Sequence, residues 1–198
     1  MQCIKDTIKN INIVIGCSIG CSYCYARMNN NRFHTIDDFN KPVFFENKLK
    51  MLDNKRHTAY LLTGQSDLSG WNEEWKDKVF SKMKENENTQ YIFLTKRPEN
   101  IKLKETPDNG WFGVTVTSSK EKTRIDYLRN NIKAKHYHIT FEPMFDDVGK
   151  LDLSNIYWIV IGTETGNRKG KISSKREWVF NIYNQAKEKN IPVFMKED

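Results

Sequence analysis

At 198 residues the chain fits a single domain spanning 1–198 and is long enough to bury a sizeable core. With 38% hydrophobic and 29% charged residues it reads as soluble and globular, and no apolar run approaches the ~20 residues of a membrane span. The formal net charge of +7 is what an anionic partner such as nucleic acid would select, although the lysines are scattered and the joint richness in Lys, Asn and Ile reads as a bias of the coding genome.

In chain order, the first apolar run, Ile11 to Ile15, predicts a strand. It feeds Cys17-Ser18-Ile19-Gly20-Cys21-Ser22-Tyr23-Cys24, a loop of thiols that opens into a helix within a polar, Asn-rich segment. Pro42 to Leu52 predicts a helix with Pro in its first turn and Val43, Phe44, Leu49 and Leu52 in rough helical spacing. Thr58–Thr63 is the second strand, ending in Gly64-Gln65-Ser66-Asp67. Asn72 caps a helix over Glu73 to Glu85 that buries Val79, Phe80 and Met83. Tyr91–Thr95 is the third strand, ending at Lys96-Arg97-Pro98 with a short helix after it. Trp111–Val116 is the fourth, ending in Thr117-Ser118-Ser119, with a helix running to about Asn130. Tyr137–Phe141 is the fifth, ending in Glu142-Pro143, and Ile156–Ile161 the sixth, ending in Gly162-Thr163-Glu164-Thr165-Gly166. A helix from Ser174 to Lys189 carries Trp178, Ile182 and Ala186 on one side, and Pro192–Met195 supplies a seventh strand.

Alternating strands and helices argue for βα units and a parallel sheet. Eight such units would close a TIM barrel of ~250 residues; six or seven in this length predict an α/β fold, an open partial TIM barrel with outer helices. Chemistry in such barrels sits at the C-terminal ends of the strands, where the polar tails above all fall.

Three thiols spaced C-x3-C-x2-C are too close together to staple a fold with disulfides, but they suit one metal centre on a single loop. Iron–sulfur clusters are usually held by four thiolates, and three on a cubane leave one iron open to a small molecule. Structural zinc is the alternative, with Cys3 or His34 completing four ligands, though there is no second pair. Buried, inert thiols are a further alternative. A lipoprotein signal at Val14-Ile15-Gly16-Cys17 is discounted, because Asp6, Lys9, Asn10 and Asn12 interrupt the ~7–15 apolar residues such a signal needs. Thiolate metal sites favour a reducing compartment, and with no export signal the chain reads as cytoplasmic. All four cysteines precede residue 25, so a second cluster has no cysteine ligands.

Cys17, Cys21 and Cys24, with an aromatic Tyr23 before the third cysteine, resemble the radical S-adenosylmethionine (radical SAM) superfamily. Gly16-Cys17 through Tyr25-Ala26, Phe93 through Pro98, Gly113 through Val116, Phe141-Glu142-Pro143 and Trp158 through Gly166 resemble a narrower branch of short phage- and bacterium-encoded three-cysteine proteins. Cys24-Tyr25 also has a short likeness to spore photoproduct lyase, a DNA repair enzyme. The resemblance implies a six-stranded partial barrel. It implies a [4Fe-4S] cluster on Cys17, Cys21 and Cys24, with S-adenosyl-L-methionine on the open iron, cleaved reductively to a 5′-deoxyadenosyl radical that abstracts hydrogen from a substrate. A reductant of flavodoxin or ferredoxin type would supply the electron.

In that reading Tyr23 packs near the adenine. Gly64, Gln65, Ser66 and Asp67 take the place of a Gly-Gly-Glu-like segment that binds the amino group of SAM, from which they depart in sequence. Lys96, with Arg97, would pair with the SAM carboxylate. Thr115 and Thr117 would reach its ribose, and Glu142 and Glu164, ending adjacent strands, would hold substrate or move a proton, or else salt-bridge Lys96 or Arg97 structurally. An iron–sulfur electron-transfer or sensor module and a zinc-stabilised nucleic-acid-binding domain remain as alternatives. With little chain left for a cap, a large anionic substrate such as nucleic acid or a nucleotide, a second protein, or Met28 to Asn40 would have to close the mouth, which Lys96, Arg97, Arg168, Lys169 and Lys171 would ring with charge.

Overall fold

The computed structural model describes residues 7–53, 58–165 and 168–196. Seven strands form one parallel sheet: β1 (Ile8–Asn10), β4 (Ala59–Leu61), β5 (Gln90–Thr95), β6 (Gly110–Thr115), β7 (His136–Phe141), β8 (Ile156–Ile161) and β9 (Val193–Met195). Their order in the sheet is their order in the chain, with α-helices on the crossovers from β1 to β4, β4 to β5, β6 to β7 and β8 to β9, which is the topology of an open α/β partial barrel. Contacts divide the chain into two compact units, Met1–Thr95 with Thr106–Trp111, and Lys96–Glu105 with Phe112–Asp198.

In the first unit, β1 pairs with β4 (Ile8↔Ala59, Asn10↔Leu61) and β4 with β5 (Ala59↔Gln90). The predicted first strand, Ile11–Ile15, is corrected here. Ile11 N still donates to Leu61 O at 3.0 Å, but the chain then swings out of the ladder. Val14–Ile15 forms β2, which pairs antiparallel with β3 (Val43–Phe44) in a separate two-stranded sheet. The chain rejoins the main sheet at Gly16, bridged in parallel to Ser66. The apolar run is real, since Ile11, Ile13, Val14 and Ile15 are all buried, but burial comes from packing of the excursion. Pro42 to Leu52 is likewise corrected: Val43 and Phe44 are used in strand pairing, and the helix is a 3₁₀ helix over Glu46–Asp53.

Helix α1 (Tyr25–Phe33) follows the cysteines, and α2 (Glu73–Lys84) follows β4. The side chain of Asn72 accepts from Trp75 N at 2.9 Å, the expected cap, and Val79, Phe80 and Met83 are buried on the inner face. In the second unit, α3 (Thr123–Asn131) precedes β7 and α4 (Arg176–Glu188) precedes β9. β7 pairs in parallel with β8, with an irregularity between Tyr137 and His138, and β8 with β9. α4 buries Ile182 and Ala186. No helix among the described residues is long and apolar enough to cross a membrane.

Candidate metal centre

Gly16 opens the cysteine loop with φ +115°, a conformation side chains rarely adopt. A Cβ there would stand 2.8 Å from the Pro42 Cα and 3.2 Å from the Phe39 carbonyl, so the backbone approaches as closely as only Gly allows. Cys17 N then donates to Phe39 O at 2.6 Å, and Gly20, at φ +77°, turns the loop back. Cys24 N donates to Cys21 O at 3.2 Å, and Cys24 caps α1: its Sγ accepts from Arg27 N at 3.4 Å. The three thiols are free and half-buried.

Arg27 ties this loop together. Its Nη2 donates to Cys17 O at 2.8 Å and to Asn40 Oδ1 at 3.0 Å, and its guanidinium lies 5.0 Å from the centre of the Phe39 ring. Its Nε is buried with no hydrogen-bond partner. Beneath lies an apolar cluster of Ile15, Ala26, Ile36 and Phe39, with Cys17 and Cys24 packed against it. Asn30 fastens the returning segment by a reciprocal pair of bonds with the Ile36 backbone, at 2.9 and 3.0 Å. Burial pushes the Cys17 thiol up from its ordinary value; the Ile19 N–H opposes this, while Asp67 and the other two cysteines add to it.

The structure joins the Gly64–Asp67 segment to this loop. Gly16 N donates to Gln65 O at 3.0 Å, and the Tyr25 hydroxyl to Gly64 O at 2.6 Å. Ser66 and Asp67, both expected to bind SAM, have engaged side chains. Ser66 Oγ accepts from Trp71 Nε1 at 3.0 Å. Asp67 Oδ1 accepts from Ser69 N, Ser69 Oγ and Thr95 Oγ1 at 3.0, 2.7 and 2.7 Å. Gly64 packs against Asn10 and Asn12, and Asn12 Oδ1 is buried without a donor. Tyr23 is half-buried.

The fit of the donors to a metal can be read from their chemistry. Three free thiols on one loop, with a backbone N–H on Cys24 sulfur and an arginine on the Cys17 carbonyl, suit a thiophilic centre. Among the described residues, no three His, Cys, Asp or Glu side chains are drawn into a metal-binding group. His34 is the left-handed C-cap of α1, at the opposite end of the helix from Cys24, separated by ~15 Å of helix rise. Cys3 lies outside the described residues.

In the second unit the remaining candidates are engaged in other ways. Thr117 N and Oγ1 both donate to Glu121 Oε2 at 2.7 Å, and Arg124 pairs with Glu121 at 2.9 Å while donating to Thr115 O at 2.8 Å. Both threonines are buried. Glu142, joined to Pro143 by a cis bond, pairs with Lys196 Nζ at 2.5 Å. Its side chain lies on Gly162, where a Cβ would meet its Cγ and Cδ at 3.1 Å. Glu164 is only 4% exposed and forms a two-pronged ion pair with Arg168, Nη2 to Oε2 at 2.8 Å and Nε to Oε1. Bonding to that guanidinium holds its carboxyl below the usual range, against the opposing effect of burial. Lys96 is half-buried directly after β5.

Sequence reasoning passed over Arg27 and His138. The His138 ring is 1% exposed and lies on Gly113, where a Cβ would come within 2.4 Å of it; the Trp158 ring is 5.5 Å away. Gly113, a glycine within a strand, was the available signal of close approach.

Fold and loop together define a class: an open α/β partial barrel whose first excursion carries three free thiols beside the C-terminal tail of a neighbouring strand. The chain belongs to the family described as a protein of unknown function (DUF5131), whose model matches residues 2–198. Neither the curated proteins nor the solved structures contain a match.

Proposed function

We propose that the protein is a radical SAM enzyme in which Cys17, Cys21 and Cys24 hold a [4Fe-4S] cluster that binds S-adenosyl-L-methionine at its open iron. The observation that carries this reading is the fastening of a loop of three free thiols to the Gly64–Asp67 segment, through Gly16–Gln65 and Tyr25–Gly64, at the C-terminal ends of β1 and β4. Held by Cys17, Cys21 and Cys24, such a cluster would supply the one-electron reduction that cleaves the sulfonium of SAM.

The chain's own groups hold and orient. Cys24 caps α1, and its sulfur accepts an N–H bond of the kind that steadies a thiolate ligand. Arg27 pins the Cys17 carbonyl and ties it to Asn40, which fixes the start of the loop that carries the three thiols. Ser66 and Asp67, engaged with Trp71, Ser69 and Thr95, shape the segment whose backbone and Gln65 would meet the methionine end of SAM. The buried Phe39, Ile15 and Ile36 keep water from the rear of the loop. Glu142 and Lys196, paired across β8 after β7 and β9, are groups that would hold or move a proton on a substrate.

The test is anaerobic reconstitution with iron and sulfide, then incubation with SAM and dithionite. Formation of 5′-deoxyadenosine and methionine is expected. A loaded cluster that leaves SAM intact would point instead to an electron-transfer or sensor module, and zinc in place of iron to a structural site.

A further inference from the structure

We propose that the segment from Arg168 to Phe180 is a binding surface for single-stranded nucleic acid. Arg168, Lys169, Lys171, Lys175 and Arg176 fall within nine residues, and the only acid in the stretch is Glu177, exposed and 3.8 Å from Lys175. An exposed pair at that separation neutralises little.

The first part of the segment is a shaped turn. The buried Glu164 carboxylate accepts from Arg168 and, at 3.4 Å, from Ile172 N. The same guanidinium donates to the carbonyls of Lys169 and Gly170 at 3.2 and 3.1 Å, and Gly170 takes the positive φ, +75°, that lets the chain reverse. One cation is thus spent on a staple, and the staple presents Lys169 and Lys171, both exposed, on a fixed turn.

The second part adds rings. Lys175 Nζ stands 5.4 Å from the centre of the Trp178 ring, and the Arg176 guanidinium 5.1 Å from that of Phe180. Phe180 is 44% exposed and meets Tyr183 edge-on. Cations set against rings, one of them the exposed Phe180, match a strand that offers phosphates and unstacked bases together. A duplex offers the phosphates but keeps its bases stacked, and an acidic protein surface offers nothing to the rings. This proposal rests on α4 and its leading turn alone, so it stands or falls independently of the cluster.

The experiment uses the full chain without reconstitution. Fluorescence anisotropy measures binding of labelled oligothymidylate and oligouridylate at low salt and then across a salt series. Lys169→Glu with Lys171→Glu is expected to weaken binding at least ~10-fold and to make the salt slope shallower by roughly two phosphate contacts. Phe180→Ala is expected to weaken it at least ~5-fold, the loss of one stacking platform. Lys104→Glu, an exposed charge reversal outside the segment, is expected to leave it unchanged. No binding at low salt, an equal loss in the Lys104 variant, indifference to Phe180→Ala, or equally tight binding to anionic lipid vesicles would each overturn the proposal.

Discussion

The Arg27 guanidinium donates to the carbonyl of Cys17 at 2.8 Å, so the residue that follows the third cysteine by three positions holds the first. Loop closure and ligand placement are therefore one act. Replacing Arg27 by Met keeps the stem over Phe39 but removes both hydrogen bonds and the charge. A charge-assisted bond of this kind contributes about 1.5–3 kcal/mol. After reconstitution, Arg27→Met is expected to retain several-fold less iron per chain than wild type. Arg27→Lys, which keeps charge without the planar fork, is expected to fall between them. Equal iron content in all three would remove Arg27 from the centre.

Much of the fold was legible in the sequence because local chemistry and burial agreed. The β8 strand, Ile156–Ile161, stands where the apolar run put it, and Asn72 caps α2. Ile11–Ile15 was misread because its burial is supplied by a tertiary excursion, while the true ladder strand, Ile8–Asn10, carries two polar residues in three. The site was legible as thiols and not as their support. Arg27 acquires its role only when Phe39 and Asn40 fold back over α1. Nothing local pairs Glu142 with Lys196, because the partner lies beyond two further strands.

Gly113 makes a test of packing. Its missing side chain is the space the His138 ring occupies. Gly113→Ala drives a methyl into a 1% exposed ring, so it is expected to cost about 1–3 kcal/mol in urea unfolding, the range for overpacked cores. The double variant Gly113→Ala, His138→Ala is expected to lose less than the sum of the two single changes, because each relieves the other.

The Glu164–Arg168 pair predicts a pH dependence with a definite sign. The folded carboxyl titrates below its ordinary value, about 4.3 in the unfolded chain. Its contribution is then fully present above that unfolded value and is lost as pH falls through the lower folded one. Glu164→Gln is expected to be less stable than wild type at neutral pH, with the gap narrowing below about pH 4.3 and closing at stronger acid. A gap that stays constant across that range would mean that the charge contributes nothing.

Alanine substitution of each cysteine separates the three-thiolate reading from its alternatives. Cys17, Cys21 and Cys24 share one loop that is closed by Arg27 and capped into α1, whereas Cys3 precedes the first ladder strand in the chain. Iron content and the visible sulfur-to-iron charge-transfer band are expected to collapse in each of the three loop variants and to survive in Cys3→Ala. A cluster held by three thiolates leaves one iron to take SAM, so adding SAM to the reduced wild-type protein is expected to shift its electron paramagnetic resonance spectrum. The same addition to Cys3→Ala is expected to give the same shift. If Cys3→Ala instead lost the cluster, the centre would have four thiolate ligands and no open iron, and an unchanged spectrum at saturating SAM would follow from the same cause.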